Sequence, residues 1–270
     1  MIDFFPSRAV AVEIGSFAVH WYGIMYMLGF LMAALLLPRL QRYRGLHLPQ
    51  EEWSKILTAA ILGVILGGRL GFVFFYEPAY YLANPLEIVA VWKGGMASHG
   101  GFIGVSLALL WVLRKKSRED ILRIADVLAV PVALGLLLGR VGNFINLELY
   151  GTVTTLPWGI EIPGVEGLRH PTQIYAVLKD ALIAVVCFWH LRSTSSTRPG
   201  RTFALFLIMY GVLRFMVEVF RVQDHELWLF LTRGQLLTIP LVVIGVWLWF
   251  YSQKLGAVGG PSAVLRTSKR

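Results

Sequence analysis

The sequence predicts an all-α integral membrane protein of about seven transmembrane helices with a small irregular periplasmic cap. Three observations carry this reading. The chain is 56% hydrophobic and only 15% charged, against about 45–50% and about 25% in soluble globular domains. Apolar runs close to the length of a spanning helix, about 20 residues, recur along it. Lys and Arg gather in alternate connecting segments, as membrane topology requires.

The first run, 17–37, comes after the leader "MIDFFPSRAVAVEIGS". That leader carries Asp3 and Glu13 and lacks a basic n-region, so the run reads as a retained helix rather than a signal peptide. Further runs occupy 56–75, 98–113, 123–139, 172–191, 202–220 and 235–252. Together they make one transmembrane domain over 1–255, and "GAVGGPSAVLRTSKR", 256–270, reads as a disordered cytoplasmic tail. Segment 140–171 contains "TTLPWGIEIPGVEGLRHP" and reads as an irregular or short-strand outward cap. "EPAYYLANPLEIVAVWKGG" suggests a segment lying in the membrane interface, where Trp and Tyr prefer to sit. Gly63, Gly67 and Gly71 recur at a spacing of four, as do Gly135 and Gly139, which lets helices approach closely.

The net charge is +9. Topology accounts for it better than nucleic-acid binding, because the basic residues sit in short loops. One set of loops holds Arg39, Arg42, Arg44 and Lys55, then Arg114, Lys115, Lys116, Arg118 and Arg123, then Arg192, Arg198 and Arg201, with Lys254, Arg266, Lys269 and Arg270 in the tail. Arg8, Lys93, Arg140, Arg169, Arg221 and Arg233 are spread thinly on the other side. This places the N-terminus outside and the C-terminus in the cytoplasm. The single cysteine, Cys187, lies in "ALIAVVCFWHL" and reads as a small apolar packing residue.

A charge inside a bilayer costs roughly 2.5–3.5 kcal/mol even on the lenient insertion scale, so each one needs a reason. "GRVGNFINLELYG", 139–151, sets Arg140, Asn143, Asn146 and Glu148 at the mouth of an apolar run. A guanidinium reads phosphate bidentately, and the interleaved apolar residues hold the segment at headgroup depth. The residues thus suggest a site for an anionic lipid at the outer leaflet. In "FALFLIMYGVLRFMVEVFR", Tyr210, Arg214 and Glu218 fall at spacings of four and share one helix face. Spacing alone supports both a structural ion pair and the polar wall of a cavity. His20 and Tyr22 open the first run beside Trp21, an aromatic-belt residue. In "GGMASHGGFIG", His99 is flanked by glycines that let another group approach the imidazole. Lys179 and Asp180 receive no role.

Taken together, "HWYGIMY", "GGRLG", "GGMASHGGFIG", "GRVGNFINLELYG", "RHPTQIY", "YGVLRFMVEVFR" and "GQLLTIP" resemble, in order, the motifs of the prolipoprotein diacylglyceryl transferases. The resemblance covers nearly the whole chain. It implies transfer of an sn-1,2-diacylglyceryl group from phosphatidylglycerol to the thiol of a prolipoprotein lipobox cysteine, with release of glycerol 1-phosphate and no cofactor or metal. The partners implied are phosphatidylglycerol and the lipobox peptide, in the bacterial inner membrane with the site toward the outer leaflet. The same resemblance makes His99 the candidate base and gives Arg140 and Arg214 the phosphate, with Asn143 and Tyr210 positioning the headgroup. Tyr22, Asn146, Glu148, Gly151 and Glu218 match further marked positions; His20, Asp126 and His170 match weaker ones. Ala176 departs from the pattern, standing where Glu is common, and the outward cap is short beside that of some members.

Other classes compete with this one. A transporter or lipid flippase would also place Arg and Glu in the membrane, but it predicts internal repeats, and none is evident. Another phospholipid-headgroup enzyme could use the same arginines. A non-catalytic relative would be expected to lack His99, Arg140 or Arg214, and all three are present.

Overall fold

The computed structural model describes residues 2–4, 7–194, 198–222 and 231–258; most of the expected tail lies outside them. The elements run in order as β1 (Ile2–Phe4), β2 (Val10–Ile14), β3 (Phe17–His20), α1 (Trp21–Leu40), α2 (Gln50–Phe75), α3 (Pro78–Ala83), α4 (Ser98–Leu113), α5 (Arg118–Asn146), β4 (Ile160–Ile162), β5 (Val165–Arg169), α6 (Thr172–Ser193), α7 (Arg201–Glu218) and α8 (Arg233–Val258). Five helical segments are long and apolar enough to cross a membrane: Trp21–Arg44, Gln50–Phe75, Arg118–Asn146, Thr172–Ser193 and Gly234–Leu255. The apolar helix in α4 is shorter, and α7 has 18 residues with Arg214 and Glu218 among them. The protein is therefore mostly helical and of the integral membrane class. The residues group into two compact units: Met1–Leu46 with Leu122–Arg270, and His47–Ile121.

In the continuous unit, α2 and α4 meet on glycine. A methyl at Gly63 would lie 2.8 Å from the Gly104 oxygen, one at Gly71 2.8 Å from the Gly100 Cα, and one at Gly67 would strike the Gly100 oxygen. The spacing of four thus builds a seam at which the two backbones touch. Arg69 organises the connection between these helices. Its Nε donates to the Ile88 oxygen at 2.8 Å and its Nη2 to the Glu87 oxygen at 2.6 Å. Its Nη1 donates to the oxygens of Gly94 and Gly95, and its guanidinium stands 5.0 Å over the Tyr81 ring. The connection is α3 followed by two 3-10 turns, Pro85–Val89 and Val91–Lys93. Leu82, Leu86 and Trp92 are exposed along it, the apolar outer surface expected of an interfacial segment.

The discontinuous unit differs from expectation at its start. Part of the leader and the first residues of the first apolar run form an antiparallel sheet, β1-β2-β3. Alternating "VAVEI" and "FAVH" suit strands, and Gly15, at φ 63°, makes the turn between them. Helix α1 therefore begins at Trp21, not at 17. The second difference is α5, which continues past 139 to Asn146 and carries Arg140 and both asparagines on its last turns. Gly139 does not serve a close approach, since a methyl there would meet nothing within 4 Å, whereas the Gly135 Cα lies 3.5 Å from where a methyl on Gly29 of α1 would sit.

At one end of this unit, Arg44 and Asp126 are both fully buried and paired at 2.7 Å. Asp126 also accepts from the backbone N–H of Gly200 at 3.0 Å and of Phe203 at 2.9 Å, capping the start of α7. Arg44 reaches the Leu191 oxygen at 2.9 Å and the Thr202 hydroxyl at 2.6 Å. One ion pair thereby fastens the ends of α1, α5, α6 and α7. Helices α7 and α8 pack through small residues: a methyl at Gly245 would lie 3.0 Å from the Ala204 oxygen.

The seam predicts an asymmetry among the glycines. Gly67→Val should separate α2 from α4 and destabilise the protein by about 1–3 kcal/mol, as overpacking does, whereas Gly139→Ala should leave the melting temperature in detergent unchanged. Equal melting temperatures for the two variants would contradict the seam.

Candidate functional site

The functional end of the discontinuous unit is built by the chain leaving α5. Leu147 and Leu149 have φ of 55° and 57°, left-handed values that non-glycine residues seldom adopt. They turn the chain back so that Gly151 enters a three-way backbone crossing. Its N–H donates to the His170 oxygen at 2.8 Å; the Thr152 N–H donates to the Phe220 oxygen at 2.9 Å, and the His170 N–H to the Thr152 oxygen at 3.0 Å. A methyl at Gly151 would sit 2.5 Å from the Phe220 oxygen and 2.6 Å from the His170 Cβ. This crossing ties the end of α5 to the start of α6 and the end of α7.

A narrow cleft results, lined by Arg140 and Asn143 of α5, Thr172, Gln173 and Ala176 of α6, Arg214 and Val217 of α7, with Leu149 and Arg221. Arg140 and Arg214, far apart in sequence, thus face one space and lie within electrostatic range of each other. Arg140 donates to the Asn143 side-chain oxygen at 3.2 Å, and the Asn143 amide donates to the Tyr22 hydroxyl. The Tyr22 hydroxyl also faces Glu148. Glu148 accepts from Asn146 at 3.1 Å.

On α7, the shared face resolves as an ion pair, Arg214 to Glu218 at 2.6 Å, with Arg221 joining Glu218 at 3.3 Å. Of the three residues on that face only Arg214 also lines the cleft, so the spacing serves an ion pair first and the cavity wall through one of its members. Glu218 rests against Gly234 in the first turn of α8, where any side chain would collide with the carboxylate and where a helix N-terminus favours negative charge. Thr232 and Gln235 close that terminus reciprocally, with bonds of 3.0 and 3.1 Å. Tyr210 stacks on Phe206 and lies 4.3 Å beneath the Lys179 ammonium, which pairs with Asp180.

The remaining candidates fall elsewhere. His170 is buried behind the crossing, its Nδ1 3.0 Å from the Tyr175 hydroxyl and its ring against Phe220. His20 is exposed at the end of β3. Asp126 belongs to the clasp with Arg44, roughly 20 Å along α5 from Arg140. His99 lies in the continuous unit, in the first turn of α4.

Sequence alone gives no role to Arg221, Gln173, Gly234 or Lys179. Gly234 and Gln173 sit in the quoted "GQLLTIP" and "RHPTQIY", but a lone glycine or amide carries no charge pattern to single it out. Lys179 and Asp180 are visible as intramembrane charges, and only the fold puts them beside Tyr210.

Gly151→Ala should lose the crossing. It is expected to lower the melting temperature and to abolish any activity that depends on the cleft, while Gly139→Ala, in helix α5 with no neighbour within 4 Å, should leave that activity in place. Full activity in Gly151→Ala would rule out the crossing as the site's scaffold.

Known proteins share this sequence across nearly its whole length. The family model described as prolipoprotein diacylglyceryl transferase matches residues 9–251. A protein of Polynucleobacter asymbioticus named phosphatidylglycerol–prolipoprotein diacylglyceryl transferase is 44% identical over 88% of this chain and 93% of its own length. Proteins of the same name from Cupriavidus metallidurans and Geobacter sulfurreducens are each 43% identical, covering 92% and 88% of this chain and 95% and 92% of their own. The chain belongs to the prolipoprotein diacylglyceryl transferase family.

Proposed function

We propose that this chain transfers the sn-1,2-diacylglyceryl group of phosphatidylglycerol to the lipobox cysteine thiol of a prolipoprotein. The observation that carries the proposal is the convergence of Arg140 and Arg214, with Asn143, on one cleft, in a chain of the family whose members bear that name. Two guanidinium groups suit the two free oxygens of a phosphodiester.

In the reaction, the substrate thiol loses its proton and the thiolate attacks the glyceryl carbon that bears the phosphate ester. A carbon–sulfur bond forms and the carbon–oxygen bond breaks, with its electron pair leaving on glycerol 1-phosphate. The thiolate is the nucleophile, and a free thiol has a pKa of about 8.5, so a base is needed; His99 is the residue proposed to take the proton. Arg140 and Arg214 stabilise the charge that gathers on the departing phosphate. Asn143, Tyr210 and Tyr22 position the headgroup, Asn146 and Glu148 shape the loop above it, and Glu218 orients Arg214. Gly151 gives the backbone its crossing. His20, Asp126 and His170 are given no chemical step.

The decisive assay uses purified protein, vesicles containing phosphatidylglycerol and a lipobox peptide, with the thioether product read by mass spectrometry. Arg140→Lys keeps the charge but loses the planar fork, and should lower kcat/KM by about 100-fold, on the scale of losing one oxyanion donor. His99→Gln should reduce transfer comparably while phosphatidylglycerol still binds, with partial recovery at raised pH. Normal turnover in either variant would remove that residue from the mechanism, and no product from the wild type would remove the function.

The same proposal includes a multi-pass protein of the bacterial cytoplasmic membrane. In it α4 and α7 cross together with the five longer helices, and β4-β5 forms a cap on the periplasmic side. The N-terminus then lies outside and the C-terminus in the cytoplasm. In a Cys187→Ser background, Ser7→Cys should react with an impermeant maleimide on intact cells and Ser268→Cys only after permeabilisation. Labelling of both on intact cells would overturn the orientation.

A further inference from the structure

Gln173 stands in the α6 wall of the cleft and is 2% exposed. Its Nε2 donates to the Glu148 backbone oxygen at 2.8 Å. A carbonyl oxygen only accepts, so this bond fixes which end of the amide faces it. Oε1 therefore points away from that carbonyl, buried, and has no hydrogen-bond partner among the described residues. Asn146 repeats the arrangement, with its amide nitrogen held by Glu148 at 3.1 Å and its Oδ1 buried without a donor among the described residues. Nearby on α6, Thr172 already donates its hydroxyl proton to the Leu149 oxygen at 2.7 Å, and Ala176 offers no polar group.

A buried acceptor without a donor is costly and calls for an explanation. The cleft also presents Arg140, which among the described residues bonds the neutral Asn143 amide, beside Arg214 with its partner Glu218. A cation calls for an anion, and an unpaired acceptor calls for a donor. A phosphodiester carrying a neighbouring hydroxyl meets both demands. An ammonium headgroup also donates, but it brings positive charge among arginines. An alkyl headgroup leaves Gln173 unpaired.

We propose that Gln173 is a specificity-determining residue for the lipid substrate: its Oε1 accepts a hydrogen bond from a hydroxyl of the glycerol headgroup while Arg140 and Arg214 hold the phosphate. The inference rests on the diacylglyceryl-transfer reading above. Gln173 makes and breaks no covalent bond; it holds the glycerol that departs with the phosphate. Sites built to bond a substrate hydroxyl reject the analogue that lacks it, because their own polar group is then left unpaired.

The experiment compares phosphatidylglycerol with phosphatidylpropanol of the same acyl chains, in phosphatidylcholine vesicles, with wild type and Gln173→Met. Phosphatidylpropanol keeps the phosphodiester and lacks both hydroxyls. Wild type should prefer phosphatidylglycerol by about tenfold or more in kcat/KM. Gln173→Met also gives up the Nε2 bond to Glu148 and should lose activity on both lipids, but about tenfold more on phosphatidylglycerol, so that the preference disappears. Equal losses on both lipids would mark Gln173 as merely structural and overturn the proposal. A wild type that does not discriminate the two lipids would overturn it without reference to any variant, including one that fails to fold. Lipid retention measured by native mass spectrometry, without peptide, separates this proposal from the reaction. Selective retention of phosphatidylglycerol without transfer would remove the proposed reaction, while the retention ratio in Gln173→Met would still decide the role of Gln173.

Discussion

The crossing at Gly151 is the constraint on which the cleft depends. Arg140 reaches the cleft on the last turns of α5 and Arg214 on α7. Nothing in the α5 helix itself determines where α7 lies. The backbone bonds from Gly151 to His170 and from Thr152 to Phe220 settle that, since they fasten the segment after α5 to the segment before α6 and to the segment after α7. Backbone pairing of this kind is short and has little rotational freedom, so it fixes the bases of two long flexible side chains. The left-handed backbone at Leu147 and Leu149 is part of the same device. Residues held at such angles persist when their surroundings over-determine them, and here the crossing, the Thr172 hydroxyl and the Gln173 amide do so.

The two polar ends of the discontinuous unit make different use of buried charge. Around Arg44 and Asp126, guanidinium and carboxylate are matched by hydroxyls, carbonyls and the N–H groups at the start of α7, and both are fully buried. That end resembles a finished ionic joint, which is what makes a buried pair tolerable. The cleft end is unfinished by comparison. Arg140 there bonds a neutral amide, and the amide acceptors at Gln173 and Asn146 lack donors among the described residues. Sequence alone shows Asp126, Arg214 and Glu218 as charges in apolar runs and Arg44 as one of a basic loop; the difference between the ends lies in how completely neighbours answer them.

Much of the fold is legible in the sequence because membrane helices announce themselves by length and apolarity, and α2, α4 and α6 fall close to their predicted spans. The leader does not read as a sheet, because short strands of "VAVEI" type next to a long apolar run are masked by it. The end of α5 is misplaced for a related reason: Arg140 and the asparagines lower the hydropathy, yet Asn and Arg continue a helix without difficulty once its end is buried against neighbours. At the site, charged residues are visible from their cost, and the face shared by Tyr210, Arg214 and Glu218 comes from spacing. Gln173 is not visible, since an uncharged amide acquires meaning only when the orientation of its oxygen is known. Arg69 stands within a quoted motif, but its work of gathering the oxygens of Glu87, Ile88, Gly94 and Gly95 depends on a connection whose path no periodicity reveals.

The discontinuity of one unit has a consequence for biosynthesis. The continuous unit, His47–Ile121, can close its glycine seam as soon as α4 has left the ribosome. The other unit begins with Met1–Leu46 and must wait for the chain beyond Leu122. Arg44 emerges 82 residues before Asp126 and 158 before Thr202. At about 5–20 residues per second, its guanidinium stands without its carboxylate for about 4–16 seconds, and without Thr202 for about 8–32 seconds. In the proposed orientation the basic loop around it stays in cytoplasmic water during that interval. In that orientation the charge that later locks four helix ends together serves first to hold the segment after α1 on the cytoplasmic side.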